Sequence, residues 1–149
     1  MIGFVPAVFI AIPLFNVSVF KLGLPLLFLL MSLYIFGISL GLLVTAGLIR
    51  FGPSFENIAW ASLFFLAPLG CIYYPIEILP EILQIIAKVL PLVHIFEEMR
   101  NILINDLVNF YNLLTGFFLT LIYFIISVIV FYLAYFGAKK RGTLINIGE

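Results

Sequence analysis

Between Phe4 and Ile49 the chain carries one charged side chain, Lys21, and between Asp106 and Lys139 it carries none. Stretches of that length without charge are built for lipid as solvent. Over the 149 residues, hydrophobic positions make up 65% and charged ones 9%, where soluble domains average about 45–50% and about 25%. The expected class is therefore an all-α integral membrane protein formed as one transmembrane domain. A hydrocarbon core of about 30 Å takes about 20 apolar residues in helix, and the apolar runs divide into four expected crossings, at about 3–20, 22–49, 56–75 and 112–137.

The first run is broken by Pro6, Pro13 and Asn16, which neighbouring helices in a bundle can tolerate. It has neither a basic leader nor a small-residue cleavage site, so it reads as a span that stays in place. The second, Leu22 to Ile49, is longer than the hydrocarbon and implies tilt. Gly37 and Gly41 within it form a small-xxx-small pair that lets backbones approach closely, against another helix of this chain or against a second subunit. A short polar loop, Arg50 to Glu56, follows. There Ser54 is placed to cap the third helix and Glu56 to complement its positive end. Trp60 at one end of that helix, with Tyr73 and Tyr74 at the other, matches the aromatic belts of a spanning segment.

The region from Ile76 to Asp106 is apolar in composition yet holds Glu77, Glu81, Lys88, His94, Glu97, Glu98, Arg100 and Asp106. As one spanning helix it would cost about 2.5–3.5 kcal/mol for each charge near the bilayer centre, and Pro91 would break it. Pro80 is placed to open a helix that Pro91 ends, and a second helix runs from Leu92 to about Ile104. At about 16 and about 20 Å neither spans. The pair, about 80–90 and 92–104, is expected to be re-entrant or interfacial. On its second member, helical spacing puts His94, Glu98, Asn101 and Asn105 on a polar stripe and Val93, Phe96, Met99 and Leu103 on an apolar one. Glu97 and Arg100, three residues apart, are expected to pair.

The basic cluster Lys139, Lys140 and Arg141 ends the last run and should be cytoplasmic. Four crossings then put both termini and the Arg50 loop inside and the half-helix pair outside, in a multi-pass protein of the cell membrane whose belts and anchors meet membrane lipids.

The chain has no phosphate-binding glycine loop, no nucleophile elbow and no His-Glu-x-x-His pair. It is not expected to be an enzyme or to hold a cofactor, and no basic patch points to nucleic acid. His94, Glu97 and Glu98 have spacings that can hold a metal, but a solvated ion-pair face is the expected reading and no metal is assigned. Cys71 has no neighbour that would activate it.

The run Ile49-Arg50-Phe51-Gly52, the helix end Pro68-Leu69-Gly70-Cys71-Ile72-Tyr73-Tyr74-Pro75, then Leu79-Pro80, Leu90-Pro91 and Phe96-Glu97-Glu98-Met99-Arg100 together resemble the permease subunits of type 2 ATP-binding-cassette transporters. The resemblance implies that the four crossings correspond to the third through sixth of that family. It also implies that Pro75, Pro80 and Pro91 set an external re-entrant hairpin, and that Glu97 and Arg100 belong to its Phe-Glu-x-x-Arg element. It further implies a second permease subunit, in a homo- or heterodimer, and a cytosolic ATPase subunit as partners. The family's amino-terminal helix, first two crossings and coupling helix have no counterpart here, as in a fragment or in a permease completed by another polypeptide. The expected function is that of a membrane permease subunit of an exporter that moves an amphiphilic or hydrophobic substrate, with the hairpin lining its exit. The alternative is a non-transporting membrane scaffold or assembly subunit, which needs only packing surfaces such as Gly37 and Gly41.

Overall fold

The computed structural model describes residues 23–105 and 107–141, so the first expected crossing at 3–20 lies outside the described residues. All regular structure in the described residues is helical. The order is α1 (Gly23–Phe51), α2 (Phe55–Leu69), a one-turn 3-10 helix (Ile76–Ile78), α3 (Glu81–Ala87), α4 (Pro91–Asn105) and α5 (Phe110–Arg141).

Two of these are long and apolar enough to cross a membrane, over Pro25–Phe51 and Phe110–Lys140. Pro25 is accommodated because the first turn of a helix has no intrahelical N–H to lose. Only 22% and 17% of the two apolar windows are buried within the chain, unlike the core helices of a water-soluble domain. Arg50 in the last turn of α1 complements the negative helix end. Gly52 then takes the left-handed φ of +80° that stops the helix, donating its N–H to the Leu48 carbonyl at 2.9 Å.

α1 and α5 make the most extensive contact in the molecule. Along α1 the buried residues Leu29, Ser32, Phe36, Ser39 and Ala46 are spaced by three, four or seven positions, the period of a packed helical seam. α5 answers with Leu113, Gly116, Thr120 and Ser127. The buried hydroxyls return to their own helices: Ser32 donates to the Phe28 carbonyl, Ser39 to Ile35, Thr120 to Gly116 and Ser127 to Phe124, all at 2.8–2.9 Å. Each polar group is thus satisfied without a partner across the seam.

Aromatic contacts fix the direction. Phe28 meets Phe117 with centroids 5.2 Å apart, and Phe36 meets Tyr123 at 5.6 Å. Residue numbers rise together on both helices, so α1 and α5 run parallel. Arg50 and the Lys139–Lys140 pair therefore share one end of the bundle.

The Gly37–Gly41 pair is not on this seam. Both glycines are exposed, and an added Cβ at either meets no described atom within 4 Å. Their face is turned away from the described helices because the seam repeats through Ser32, Phe36 and Ser39, nearly half a turn away.

α2 returns the chain toward the other end. At 15 residues it is about 22 Å long, shorter than the 56–75 crossing expected, because Pro68 lies in its last turn and the chain leaves the helix after Leu69. Ser54 stands at the N-cap but makes no side-chain capping bond, its own φ and ψ of −59° and −20° being helical; Glu56 does lie in the first turn.

α3 and α4 form the expected short pair with shifted bounds. Pro80 is the N-cap of α3 rather than its first residue, and α3 ends at Ala87. Pro91 opens α4 instead of closing α3, as suits a residue with fixed φ and no N–H. α4 packs through Ile95, Ile102 and Met99 on Leu26, Leu29 and Leu33 of α1, so the hairpin sits at the end opposite Arg50.

At Gly70 a Cβ would lie 2.9 Å from the Leu66 carbonyl oxygen and 2.9 Å from Leu92 of α4. Overpacking of this kind costs about 1–3 kcal/mol. Gly70→Ala should lower the thermal unfolding midpoint of the detergent-purified protein, while Gly37→Ala, facing open space, should leave it unchanged or raise it.

Candidate functional site

The break after α2 leaves backbone groups that need partners. The Pro68 carbonyl accepts from the Cys71 N–H at 3.1 Å and from the Tyr74 hydroxyl at 2.8 Å. Cys71, fully buried, takes a φ of +53°, unusual for a residue with a side chain, and this turns its carbonyl toward α4. After Pro75, in extended conformation, the Ile76 N–H starts the 3-10 turn with no helical acceptor.

Glu97 and Arg100 meet both needs. The Glu97 carboxylate oxygen Oε1 accepts from the Ile76 N–H at 2.9 Å and from Arg100 Nη1 at 2.7 Å, and Arg100 Nη2 donates to the Cys71 carbonyl at 3.1 Å. The two side chains are each 24% exposed, so the pair is shielded from water without being sealed. The expected pairing of Glu97 with Arg100 is present, and it does more than the i, i+3 spacing implies. It clamps the irregular segment 71–76 against α4, replacing hydrogen bonds that no helix or sheet can supply there.

Glu98 is not on a solvated stripe. It is fully buried, and its Oε1 accepts the Asn109 N–H at the entrance to α5, at 2.5 Å. The Oε2 atom is buried and meets no hydrogen-bond geometry, with the Asn112 carboxamide nearby in partial compensation. Burial pushes the Glu98 carboxyl above its ordinary range, against the lowering effects of Asn109 and Asn112. The apolar stripe also departs from the expected one. Val93 of that stripe is buried against Cys71 and Ala87 and Met99 packs on α1, but Leu92, Ile95 and Ile102 are buried as well and Leu103 is exposed.

His94 donates from Nε2 to the Lys88 carbonyl at 2.9 Å, closing the end of α3. His94, Glu97 and Glu98 thus turn to three different partners, and among the described residues no group of three metal-ligating side chains converges. Asn101 and Asn105, the rest of the expected stripe, bond each other at 2.7 Å. They share with Glu77, Glu97, Arg100 and Asn112 an open polar pocket of about 310 Å³. Arg100 spends donors on Glu97 and Cys71, so the pocket's acceptors are carboxylates and its donors are largely carboxamides. It can hydrogen-bond a polar head group but contains no nucleophile and base within reach of one another.

Pro75, Pro80 and Pro91 each stand at a chain-direction change: before the 3-10 turn, before α3 and at the start of α4. Of the anchors, Arg50, Lys139 and Lys140 gather at the far end with the start of α2, which carries Glu56, and Arg141 closes α5. Sequence reasoning missed the Cys71 carbonyl, the Ile76 N–H, Asn109 and Asn112. The last two were visible as polar residues flanking the final apolar run, while the backbone groups have no side-chain signal. Comparison with protein families, curated proteins and solved structures gives no match.

A raised carboxyl in the fold means that the native chain holds a proton the unfolded chain has released. The stabilising contribution is whole below the ordinary carboxyl range and is lost as pH rises through the raised value. Glu98→Gln keeps the acceptor for Asn109 and removes the titration. It should raise the unfolding midpoint at pH 8 relative to the parent and flatten the dependence between pH 5 and pH 8, measured by thermal scans in detergent.

Proposed function

We propose that this chain is the carboxy-terminal, membrane-embedded portion of a type 2 ATP-binding-cassette exporter permease, moving an amphiphilic or hydrophobic substrate with energy from a separate cytosolic ATPase subunit. The observation that carries the reading is the Glu97–Arg100 clamp on residues 71–76. It gives the Phe-Glu-x-x-Arg element a structural task in a short helical hairpin, where the resemblance calls for one. The parallel direction of α1 and α5 adds support: two parallel spans need a single return between them, and α2 with the segment to Pro75 is the element available. In this reading the third crossing is α2 extended by the residues leading to Pro75, the chain crosses four times, and both termini lie in the cytoplasm beside Arg50 and Lys139. The hairpin faces outward with its polar pocket at the exit.

A non-transporting scaffold is the second reading, favoured by the exposed face of Gly37 and Gly41, which is available to another subunit. A permease half that pairs with its partner uses the same face, so transport decides between them.

Two experiments test the proposal. With Cys71 replaced by Ala, single cysteines at Glu81 and Asn105 should react with an impermeant reagent from outside the cell and one at Lys139 only after permeabilisation. Labelling of Glu81 and Asn105 on opposite sides would remove the hairpin. In cells making the chain with its ATPase, Arg100→Glu and Pro91→Leu should insert normally and reduce export at least tenfold, since loss of the clamp leaves polar groups unpaired at about 1–3 kcal/mol each. Unchanged, vanadate-sensitive export in both variants would separate the hairpin from transport, and absence of any ATP-dependent export would favour the scaffold.

A further inference from the structure

The opposite end of the bundle carries a second cavity of different chemistry. A groove of about 450 Å³ runs between the carboxy-terminal thirds of α1 and α5. Leu43, Ala46 and Gly47 form one wall and Val130, Leu133 and Ala134 the other, aligned by the parallel seam. The small side chains of Ala46 and Ala134 make the space, and the Phe55 ring packs directly on Gly47. Phe55 at the start of α2 and the exposed Phe51, whose rings stack at 5.7 Å, close the same end that Arg50 lines.

The mouth is basic. Arg50 lines it, with its guanidinium 5.6 Å from the centroid of the Phe51 ring, a cation–π arrangement that holds the charge at the rim rather than in the groove. Lys139 and Lys140, exposed, stand on the last turns of α5 at the level of Arg50, because the register that pairs Phe28 with Phe117 and Phe36 with Tyr123 continues to this end. Glu56, in the first turn of α2, is the acidic side chain near this end among the described residues, and it does not line the groove. None of these cations has an ion pair with a described residue.

We infer that this groove holds an acyl chain of an anionic phospholipid whose head group is bound by Arg50, Lys139 and Lys140. An apolar slot of this size falls in the range of small-molecule sites, about 300–1,000 Å³. Its walls offer nothing to a polar ligand, and the charged side chain lining its mouth is Arg50, with Lys139 and Lys140 at the same end of the bundle. An amphiphile with a hydrocarbon body and a negative head satisfies both, and the cytoplasmic leaflet supplies one. The bound lipid would fill the opening between α1 and α5 where their side chains are too small to meet. The inference rests on the membrane placement proposed above and is independent of transport.

The test is native mass spectrometry of the purified full chain, titrated with phosphatidylglycerol or with phosphatidylcholine of the same acyl chains. The expected result is one tightly held phosphatidylglycerol per chain, preferred over phosphatidylcholine. Replacing Arg50, Lys139 and Lys140 together with Gln should weaken phosphatidylglycerol about a hundredfold, about fivefold for each cation at about 1 kcal/mol, and leave phosphatidylcholine unchanged. Ala134→Phe keeps every charge and fills the groove, so it should abolish the tight site. Equal retention of the two lipids, full retention by Ala134→Phe, or a folded chain holding no lipid, whether alone or as a two-chain species, would overturn the inference. Cysteine labelling at Lys139, which reports membrane placement alone, separates failure of this site from failure of the placement it assumes.

Discussion

The parallel contact of α1 with α5 is the constraint on which the rest of the molecule depends. Two long helices pointing the same way cannot be joined by a tight turn, so the 58 residues between Phe51 and Phe110 must travel back along the bundle before α5 begins. That requirement gives α2 its role as the return limb and places α3 and α4 at the end where α1 and α5 both start. The seam itself relies on small hydroxyl residues that bond within their own helices. They allow close approach, and the aromatic pairs supply the contact area and the register.

At the hairpin end, the physical difficulty is irregular backbone between two helices. The segment from Gly70 to Pro80 cannot satisfy itself, since two prolines, Pro75 and Pro80, and a left-handed cysteine interrupt any repeating pattern. One ion pair resolves it. Glu97 accepts from one side of the break while Arg100 donates to the other, and each fixes the other's geometry at 2.7 Å. Glu98 performs a parallel service for the entrance to α5, at the cost of a buried carboxyl with one oxygen left without a hydrogen bond. Two adjacent glutamates thus tie α4 to two different loops, one through an exposed-side network and one through the interior.

The charge pattern carried a good deal of this. Apolar runs announced α1 and α5, the prolines announced a hairpin of short helices, and the spacing of Glu97 and Arg100 announced their pairing. Periodicity failed where two faces of one helix are both buried: on α4 it grouped Glu98 with exposed polar residues, because a carboxylate reads as solvated unless a backbone N–H from elsewhere, here Asn109, is known to meet it. At Gly37 and Gly41 it left the partner open, another helix of this chain or a second subunit. Their spacing is that of a packing motif, but the partner helix approaches through Ser32, Phe36 and Ser39, and nothing local distinguishes one small-residue face from the other.

What the chain determined by itself is its solvent preference and its punctuation: which stretches exclude charge, and where proline and glycine force the backbone to turn. These are properties of single residues and short windows, set by desolvation cost and by allowed dihedrals. Tertiary structure alone decided the direction in which α1 and α5 pass each other, the burial of Glu98, the clamp on the Cys71 carbonyl and the basic-rimmed groove beside Arg50. Each of these joins groups far apart in the chain, and the energy of a contact depends on distance in space, which no local pattern encodes.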